Sequence, residues 1–198
     1  MSDEQSTDPL DAIDWPVRTK RLVLRRSTLQ DSDAMWEYRR RPEVSEWLGW
    51  IPVDRADWDA EYPGRHGINV AIELDGRVIG DVMIRIGDGW GQREVKDLAT
   101  GVEAELGWTL HPDFQGRGYA SEAVRAVIGL CFTQLGLRRL TAGAFAENEA
   151  SWRLMERLGM RREAYNVKES LHGTRGWIDG VAYALLAEEW PTPTSPAA

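Results

Sequence analysis

Cysteine is nearly absent from the 198-residue chain, which contains only Cys131 and therefore cannot form an internal disulfide. That usage fits a reducing compartment, and we expect a cytoplasmic protein. No apolar run approaches the roughly 20 residues that a membrane-spanning helix needs. The acidic opening, MSDEQSTDPLDAID, lacks the basic and apolar regions of a secretory signal. The sequence therefore predicts no membrane partner.

Positive charge is also scarce, with 24 Lys and Arg against 32 Asp and Glu and a formal net charge of −8. A general nucleic-acid binder needs a basic face, so we expect no nucleic-acid partner. The acidic balance is compatible with a cationic substrate such as an amine, although net charge alone does not locate a site.

Candidate metal ligands are few. His66, His111 and His172 form no spaced ligand set with one another or with Cys131, so we expect no metal site. His111 stands before Pro112 and is expected to shape a turn. Cys131 lies on the apolar stripe of a predicted helix, which is typical of a core residue.

Length and composition favour one compact domain, because 198 residues with 42% hydrophobic content can build one substantial core but hardly two. We place this domain at residues 17–190. Residues 1–16 are expected to be a flexible N-terminus, and residues 191–198, rich in Pro and Thr, a disordered tail.

The predicted strands are mostly arranged as antiparallel neighbours. Alternating polar and apolar residues indicate strands at 21–26 and 104–110. Two further β-rich runs flank Asp75-Gly76, a type I′ hairpin signal. The polar, Gly-rich stretch 87–101 is expected to be a loop.

The predicted helices complete a mixed fold. Three short helices precede the hairpin, the second beginning at Pro42 and the third capped by Asp54. A longer helix runs from about residue 119 to 135, and another is stopped by Gly159. A closing antiparallel pair surrounds the loop LHGTRGW. One parallel crossover among antiparallel strands predicts an α+β or mixed α/β sheet, not a doubly wound one.

The segment HPDFQGRGYASEAV, residues 111–124, places two glycines and an arginine directly before an apolar-periodic helix. A helix start offers free N–H donors and a partial positive charge, so the segment indicates an anion site. It lacks the Lys-Ser/Thr of a P-loop, and Ser121 stands where a dinucleotide fingerprint needs its third glycine.

What does fit is Q-x-x-G-x-A, carried by Gln115, Gly118 and Ala120. With its neighbours, this motif resembles the GNAT superfamily of acyl-CoA-dependent N-acyltransferases, in particular its RimJ/RimL-type branch. The resembling segments, in chain order, are TKRLVLRR, RRPEVSEWLGWIP, AELGWTLHPDFQGRGYASEAV, LGLRRLTAGAFAENEASWRLMERLGMRREA and GWIDGVAYALLAEEW. The resemblance implies a GNAT-like sheet of about seven strands, mostly antiparallel, with one splayed parallel pair and helices on both faces.

The resemblance also implies that acetyl-CoA is the cofactor. Backbone N–H groups of residues 116–120 would wrap its pyrophosphate, with Arg117 neutralising a phosphate, and the pantetheine arm would pair with the strand edge opposite AGAFA. The implied cofactor residues are Trp108, Thr109, Leu110, Gln115, Gly116, Arg117, Gly118, Tyr119, Ala120, Asn148 and Ser151. The alternatives are a simple tight turn with a solvated Arg117, and helix capping by Asn148 and Ser151.

Acyl transfer to an amine requires removal of an ammonium proton, a donor for the developing oxyanion and protonation of the leaving thiolate. A backbone amide in GWTL is the candidate donor. Glu105, Asp179 and, less favoured, Glu169 are the candidate bases. Ser151 is the first choice for protonating the thiolate and Tyr165 the second.

The acceptor is left open by the sequence. Trp36, Trp47 and Trp50 fall in the early helical region and could hold a cationic amine, or else anchor short helices on the sheet. The amine could be a protein N-terminus or a small molecule, and an open cleft would favour the former. A non-catalytic acyl-CoA-binding sensor or partner protein is the alternative from another class. A homodimer is possible, but no sequence feature decides it.

Overall fold

The computed structural model describes residues 8–191. Eight strands form one sheet in the spatial order β1-β2-β3-β4-β5-β6-β8-β7. Every neighbouring pair is antiparallel except β5 and β6, which run parallel. The strands are β1 Val17–Arg18, β2 Val23–Arg26, β3 Asn69–Leu74, β4 Arg77–Gly87, β5 Glu103–Leu110, β6 Arg139–Phe145, β7 Arg161–His172 and β8 Gly176–Leu186. The predicted fold class is confirmed, with eight strands in place of about seven.

Five α-helices accompany the sheet within residues 8–191. They are α1 Ser32–Arg39, α2 Pro42–Ser45, α3 Arg55–Arg65, α4 Tyr119–Thr133 and α5 Glu149–Arg157. Short 3-10 helices occur at Pro9–Ala12, Leu29–Asp31, His66–Ile68, Arg93–Ala99, Pro112–Phe114 and Ala187–Glu189. In this described part of the chain, no helix has the length and apolar character needed to cross a membrane.

Helices cover both faces of the sheet. Successive strand side chains point to opposite faces, and in β3 Val70 and Ile72 join the large core cluster, whereas Ala71 joins a separate one. The large cluster includes the buried stripe of α4, with Cys131 at 0% exposure, which confirms Cys131 as a core residue. The second cluster packs α1 and α3 on the other face, with Trp58 at its centre.

Local signals in the sequence predicted several boundaries correctly. Asp75 and Gly76 have φ angles of 50° and 78°, as a type I′ turn requires. Asp54 caps α3 by accepting a hydrogen bond from the Asp57 N–H. After α5 ends, Gly159 has a φ of 86°, the left-handed conformation that commonly stops a helix.

Four expectations about loops and ends need correction or lie outside the described residues. Residues 8–16 are not a loose segment, because Leu10 and Ile13 are 2% and 3% exposed within the large core. The stretch 87–101 contains a 3-10 helix. The expected loop LHGTRGW is mostly strand, because Leu171 pairs with Trp177 across β7 and β8. Residues 1–7 and 192–198 are not described.

Candidate functional site

The parallel strands β5 and β6 separate after a short stretch of pairing. Their register ends at Glu105, which pairs with Thr141. Beyond that point β5 stays bonded to β4 through Leu110, and β6 stays bonded to β8 through Phe145. The edges that face each other, residues 106–110 and 142–145, therefore leave polar backbone groups without a strand partner in the described chain. Such groups favour a ligand that can supply hydrogen bonds.

The predicted anion loop begins where β5 ends. The His111 N–H donates to the Ile79 carbonyl at 2.8 Å, which continues the contact with β4 for one residue. The 3-10 helix Pro112–Phe114 follows, and Gln115 Nε2 donates to the Leu110 carbonyl at 3.2 Å. Gln115 therefore closes the loop onto the end of the strand, so its side-chain amide has a structural role there.

Gly116 and Gly118 both adopt the left-handed conformation, with φ angles of 72° and 79°. Gly118 is the N-cap of α4, and it has no side chain to cap the helix. Within residues 8–191, the N–H groups of Gly116 and of residues 118–121 have no hydrogen-bond acceptor. A Cβ at Gly116 would meet open space. This array of free N–H donors at a helix start is a ready anion site.

His111 shapes the turn before this loop. Its ring is fully buried, and Nδ1 accepts a hydrogen bond from the Asp113 N–H at 3.1 Å. Nε2 therefore carries the proton and donates to Glu37 Oε2 at 3.0 Å. A hydrogen bond from Arg41 lowers the pKa of Glu37, and the neighbouring His111 lowers it further. The loop is thus tied to α1 through one carboxylate.

Asn148 and Ser151 lie at the start of α5, just beyond the end of β6. Asn148 caps the helix, because its Oδ1 accepts a hydrogen bond from the Ser151 N–H at 3.2 Å. The Asn148 Nδ2 group donates no hydrogen bond within the part of the chain described. The capping alternative from the sequence is therefore observed, and one amide donor remains available.

The candidate bases lie in different surroundings. Glu105 stands at the point where β5 and β6 separate, and its half-exposed carboxylate accepts a hydrogen bond from Arg85 Nη1 at 2.8 Å. Asp179 accepts from the Lys168 N–H at 2.9 Å and from the Tyr165 hydroxyl at 2.7 Å. These two hydrogen bonds lower the pKa of Asp179.

The hydrogen bonds of Asp179 indicate a structural role for its carboxylate. It holds an irregular part of β7, in which Lys168 has a positive φ of 52°. The hydrogen bond to Asp179 raises the pKa of the Tyr165 hydroxyl, which weakens Tyr165 as a proton donor. Glu169 accepts from Asn166 Nδ2 at 2.9 Å in the same irregular segment. Among the three carboxylates, only Glu105 belongs to one of the two strands that separate.

The candidate acceptor tryptophans do not form one pocket. Trp36 and Trp50 pack against Trp58, with ring centroids 6.0 and 5.8 Å away, in the smaller core cluster. Trp47 packs instead against Phe145 and His172, at centroid distances of 6.4 Å each. Two of the three thus anchor helices on the sheet.

A cleft of about 630 Å³ lies next to the end of β6. One wall comes from α2 and the chain after it, and the other from the turn between β7 and β8. The lining residues include Leu48, Ile51, Phe145, Leu171, His172 and Arg175. None of Trp36, Trp47 and Trp50 lines it, and the sequence offered no periodic signal for the residues that do.

Hydrogen bonds and ion pairs connect the two walls of the cleft. His172 Nδ1 accepts from the Thr174 N–H at 3.2 Å, so Nε2 carries the proton and donates to the Glu46 carbonyl at 3.0 Å. Arg175 pairs with the carboxylates of Glu46 and Glu147 and lies over the ring of Trp47. These contacts fix the width of the cleft.

Fold and site together define a class of protein: an α+β domain in which two parallel strands separate between a helix start with free N–H groups and a surface cleft. Comparison with known proteins identifies that class. The family model "Acetyltransferase (GNAT) domain" matches residues 21–161. The chain therefore belongs to the GNAT family, and it is an acetyltransferase.

Relatives in two bacteria have informative names. An uncharacterized N-acetyltransferase of Bacillus subtilis, YnaD, is 30% identical over 179 residues, which are 88% of this chain and 98% of that protein. The [ribosomal protein uS5]-alanine N-acetyltransferase of Escherichia coli is 32% identical over 85 residues, only 43% of each chain.

Two solved structures share the fold. The GNAT-family acetyltransferase from Bacillus anthracis has a TM-score of 0.73 and 29% identity, with coverage of 87% of this chain and 99% of that one. Mycobacterium smegmatis RimJ in complex with CoA-disulfide has a TM-score of 0.68 and 25% identity, with coverage of 86% and 84%. The GNAT family generally uses acetyl-CoA.

Proposed function

We propose that this acetyltransferase takes its acetyl group from acetyl-CoA and transfers it to a primary amine by direct attack in a ternary complex. The observation that carries this proposal is the set of free N–H donors at Gly116 and residues 118–121, placed beside the gap between β5 and β6. The chain's residues fit two parts of the cofactor, the diphosphate and the pantetheine arm.

The loop fits a diphosphate. Both glycines hold left-handed conformations that turn successive N–H groups toward one side, and the start of α4 adds favourable field for negative charge. Each charge-assisted hydrogen bond to a phosphate oxygen is worth about 1.5–3 kcal/mol. Arg117, exposed on the same loop, would add a positive charge.

The gap between β5 and β6 fits the amide-bearing pantetheine arm. In this proposal residues Trp108–Leu110 and the Asn148 amide supply hydrogen bonds along the arm, because their donors and acceptors on that side, apart from the Leu110 carbonyl that Gln115 occupies, have no partner in the described chain. When bound, the cofactor supplies a thioester carbon as the electrophile.

The proposed chemistry uses groups around the same gap. A backbone N–H of β5 stabilises the developing oxyanion. Glu105, whose carboxylate accepts a hydrogen bond from Arg85, takes the ammonium proton directly or through one water. Ser151, whose hydroxyl donates no hydrogen bond within residues 8–191, passes a proton to the departing thiolate and regains one from solvent water. Asp179 is the weaker candidate base because its carboxylate already accepts hydrogen bonds from Tyr165 and Lys168 in β7.

The cleft favours an extended acceptor, such as the N-terminus of a protein, over a small amine in an enclosed pocket. Apolar residues at its rim remain open to solvent: Ile51 is 50% exposed and Leu171 is 63% exposed. An enclosed pocket would bury such side chains. The relative named as a [ribosomal protein uS5]-alanine N-acetyltransferase supports the same acceptor class.

Thiol release is the direct test. Purified protein is incubated with acetyl-CoA and two panels, one of free N-terminal peptides and one of small amines, and coenzyme A thiol is measured over time. We expect release with peptides above the rate without acceptor. Binding of acetyl-CoA without release in any panel would favour the non-catalytic sensor, and absence of binding would refute the cofactor assignment.

A further inference from the structure

The turn between β1 and β2 lies against the diphosphate loop, although almost a hundred residues separate them in the chain. Arg21 in this turn donates from Nη1 to the Arg117 carbonyl at 2.9 Å. Its guanidinium also lies over the ring of Tyr119, 4.4 Å from the centroid. One side chain thus contacts residues on both sides of Gly118.

Glu122, in the first turn of α4, holds this arginine in place. Its Oε2 accepts from Arg21 Nε at 2.6 Å, and its Oε1 accepts from the Arg21 N–H and the Thr19 hydroxyl at 2.7 Å each. Burial of Glu122 opposes ionisation, but the hydrogen bonds from Thr19 and Arg21 outweigh it and lower the pKa of the carboxyl. An ionised Glu122 also suits the helix start.

One nitrogen of this guanidinium remains available. Nη2 has no acceptor within residues 8–191, and it lies 3.5 Å from the position that a Cβ on Gly118 would take. The side chain of Arg21 is 39% exposed, so the group is reachable from solvent. A charged donor therefore stands beside the same loop whose N–H groups are free.

We propose that Arg21 is a further coenzyme A residue: it positions the diphosphate loop through the Arg117 carbonyl and offers Nη2 to a cofactor phosphate. This inference rests on the proposed function. Arginine suits both tasks because its rigid fork can donate to the carbonyl, the carboxylate and a phosphate at once, which a lysine ammonium on a flexible stem does less well.

The test compares two ligands. Coenzyme A and pantetheine, which lacks the phosphates, are titrated by NMR into the wild-type protein and into Arg21→Gln, Arg21→Lys and Lys96→Gln. Lys96 is exposed on the 3-10 helix before β5, and its replacement removes the same charge at the far end of that strand. Hydrogen exchange of residues 116–121 is followed in each apo protein.

We expect Arg21→Gln to weaken coenzyme A about tenfold or more, a change of about 1.4 kcal/mol, and to leave pantetheine within twofold. The variant's loop N–H groups should also exchange faster. Arg21→Lys should recover part of the coenzyme A affinity without restoring slow exchange, and Lys96→Gln should match the wild type for both ligands.

The outcomes separate the inference from the proposed function. If the wild type binds no coenzyme A, the proposed function fails. If the wild type binds and Arg21→Gln binds equally well, or loses coenzyme A and pantetheine in equal proportion, the inference on Arg21 is wrong. If Arg21→Gln does not fold, Arg21→Lys decides, because unchanged coenzyme A affinity together with unchanged exchange would overturn the proposal.

Discussion

His111, which follows β5, and His172, which packs on Phe145 at the end of β6, are held in the same hydrogen-bonded arrangement. Each accepts at Nδ1 from the backbone N–H two residues later and donates from Nε2 to the early helical segment. His111 donates to the Glu37 carboxylate and His172 to the Glu46 carbonyl. The segment that carries α1 and α2 is thereby fixed on both sides of the gap.

The two histidines should differ in their contribution to stability. Asparagine keeps a short side-chain acceptor near the position of Nδ1 but loses the donor at Nε2. We expect His111→Asn to lower the free energy of unfolding by about 1.5–3 kcal/mol, because a bond to a charged group is lost, and His172→Asn by about 1 kcal/mol. Urea unfolding measures both. Equal losses would mean that the Glu37 carboxylate adds nothing.

Substitution of Gly118 tests whether the diphosphate approaches the loop closely, and Gly136 provides a matched control. Gly118→Ala and Gly136→Ala both place a Cβ on a residue with positive φ, 79° and 64°. Left-handed backbone costs a non-glycine residue about 1–2 kcal/mol, so both variants should lose similar stability. Only Gly118→Ala should weaken acetyl-CoA binding, by calorimetric titration, because Gly136 lies in the turn after α4.

If both variants keep the wild-type affinity, the diphosphate does not approach the loop at Gly118. If Gly136→Ala also loses affinity, both losses come from general destabilisation, and the loss in Gly118→Ala cannot be attributed to the loop.

Asn148 combines two roles that one substitution can separate. Asn148→Ser keeps an N-cap acceptor for the Ser151 N–H and removes the free amide donor. We therefore expect thermal stability to change little while acetyl-CoA affinity falls about threefold to tenfold, a loss in the range of one ordinary hydrogen bond. A variant with lower stability and unchanged affinity would leave capping as the whole role of Asn148.

Much of this architecture was predictable because its signals are local. The Asp75-Gly76 turn, the Asp54 cap and the glycines before α4 each depend on neighbouring residues and on backbone conformations that few residue types adopt. The pattern of one parallel crossover among antiparallel strands predicted the mixed sheet.

The remaining features depend on contacts between distant parts of the chain. Arg21 reaches the diphosphate loop across almost a hundred residues, and the cleft wall at Arg175 meets Glu46 from another element. Trp36 and Trp50 were candidates both for the acceptor site and for anchors of the short helices; their packing against Trp58 in a second core, which no periodicity in the sequence revealed, supports the anchoring role.

Glu163 predicts a specific dependence of stability on pH. Hydrogen bonds from Arg139 and Arg161 lower its pKa from the usual 4.5 to about 2. Because the folded state has the lower pKa, these ion pairs stabilise it fully above pH 4.5, and the contribution is lost as the pH falls from 4.5 toward 2. Glu163→Gln should therefore be less stable than the wild type at pH 7, and the difference should shrink through that window.

Urea unfolding at a series of pH values measures this difference. Glu149→Gln is the control, because Glu149 forms a single exposed ion pair with Arg153 within α5. A difference between Glu163→Gln and the wild type that stays constant from pH 7 to pH 3 would contradict the assignment.

The role of Glu105 as the base can be tested against Glu103, a second carboxylate on the same face of β5. Glu105 and Glu103 lie two residues apart on β5, and each carboxylate pairs with an arginine, Arg85 and Arg138 respectively. Only Glu105 stands where β5 and β6 separate, because Glu103 is still paired in parallel with Arg139 at the start of the register. We expect Glu105→Gln to lower kcat by about 10²–10⁴, the usual range for a lost general base, with acetyl-CoA binding unchanged.

Glu103→Gln should keep kcat within about twofold, since it removes ion pairs with Arg138 and Arg139 without touching the gap. Steady-state kinetics with the best acceptor from the thiol-release panels measures both variants. Full activity in Glu105→Gln would show that Glu105 is not the base and that its role is the ion pair with Arg85. The base would then be a carboxylate that the acceptor itself places within reach of its amine.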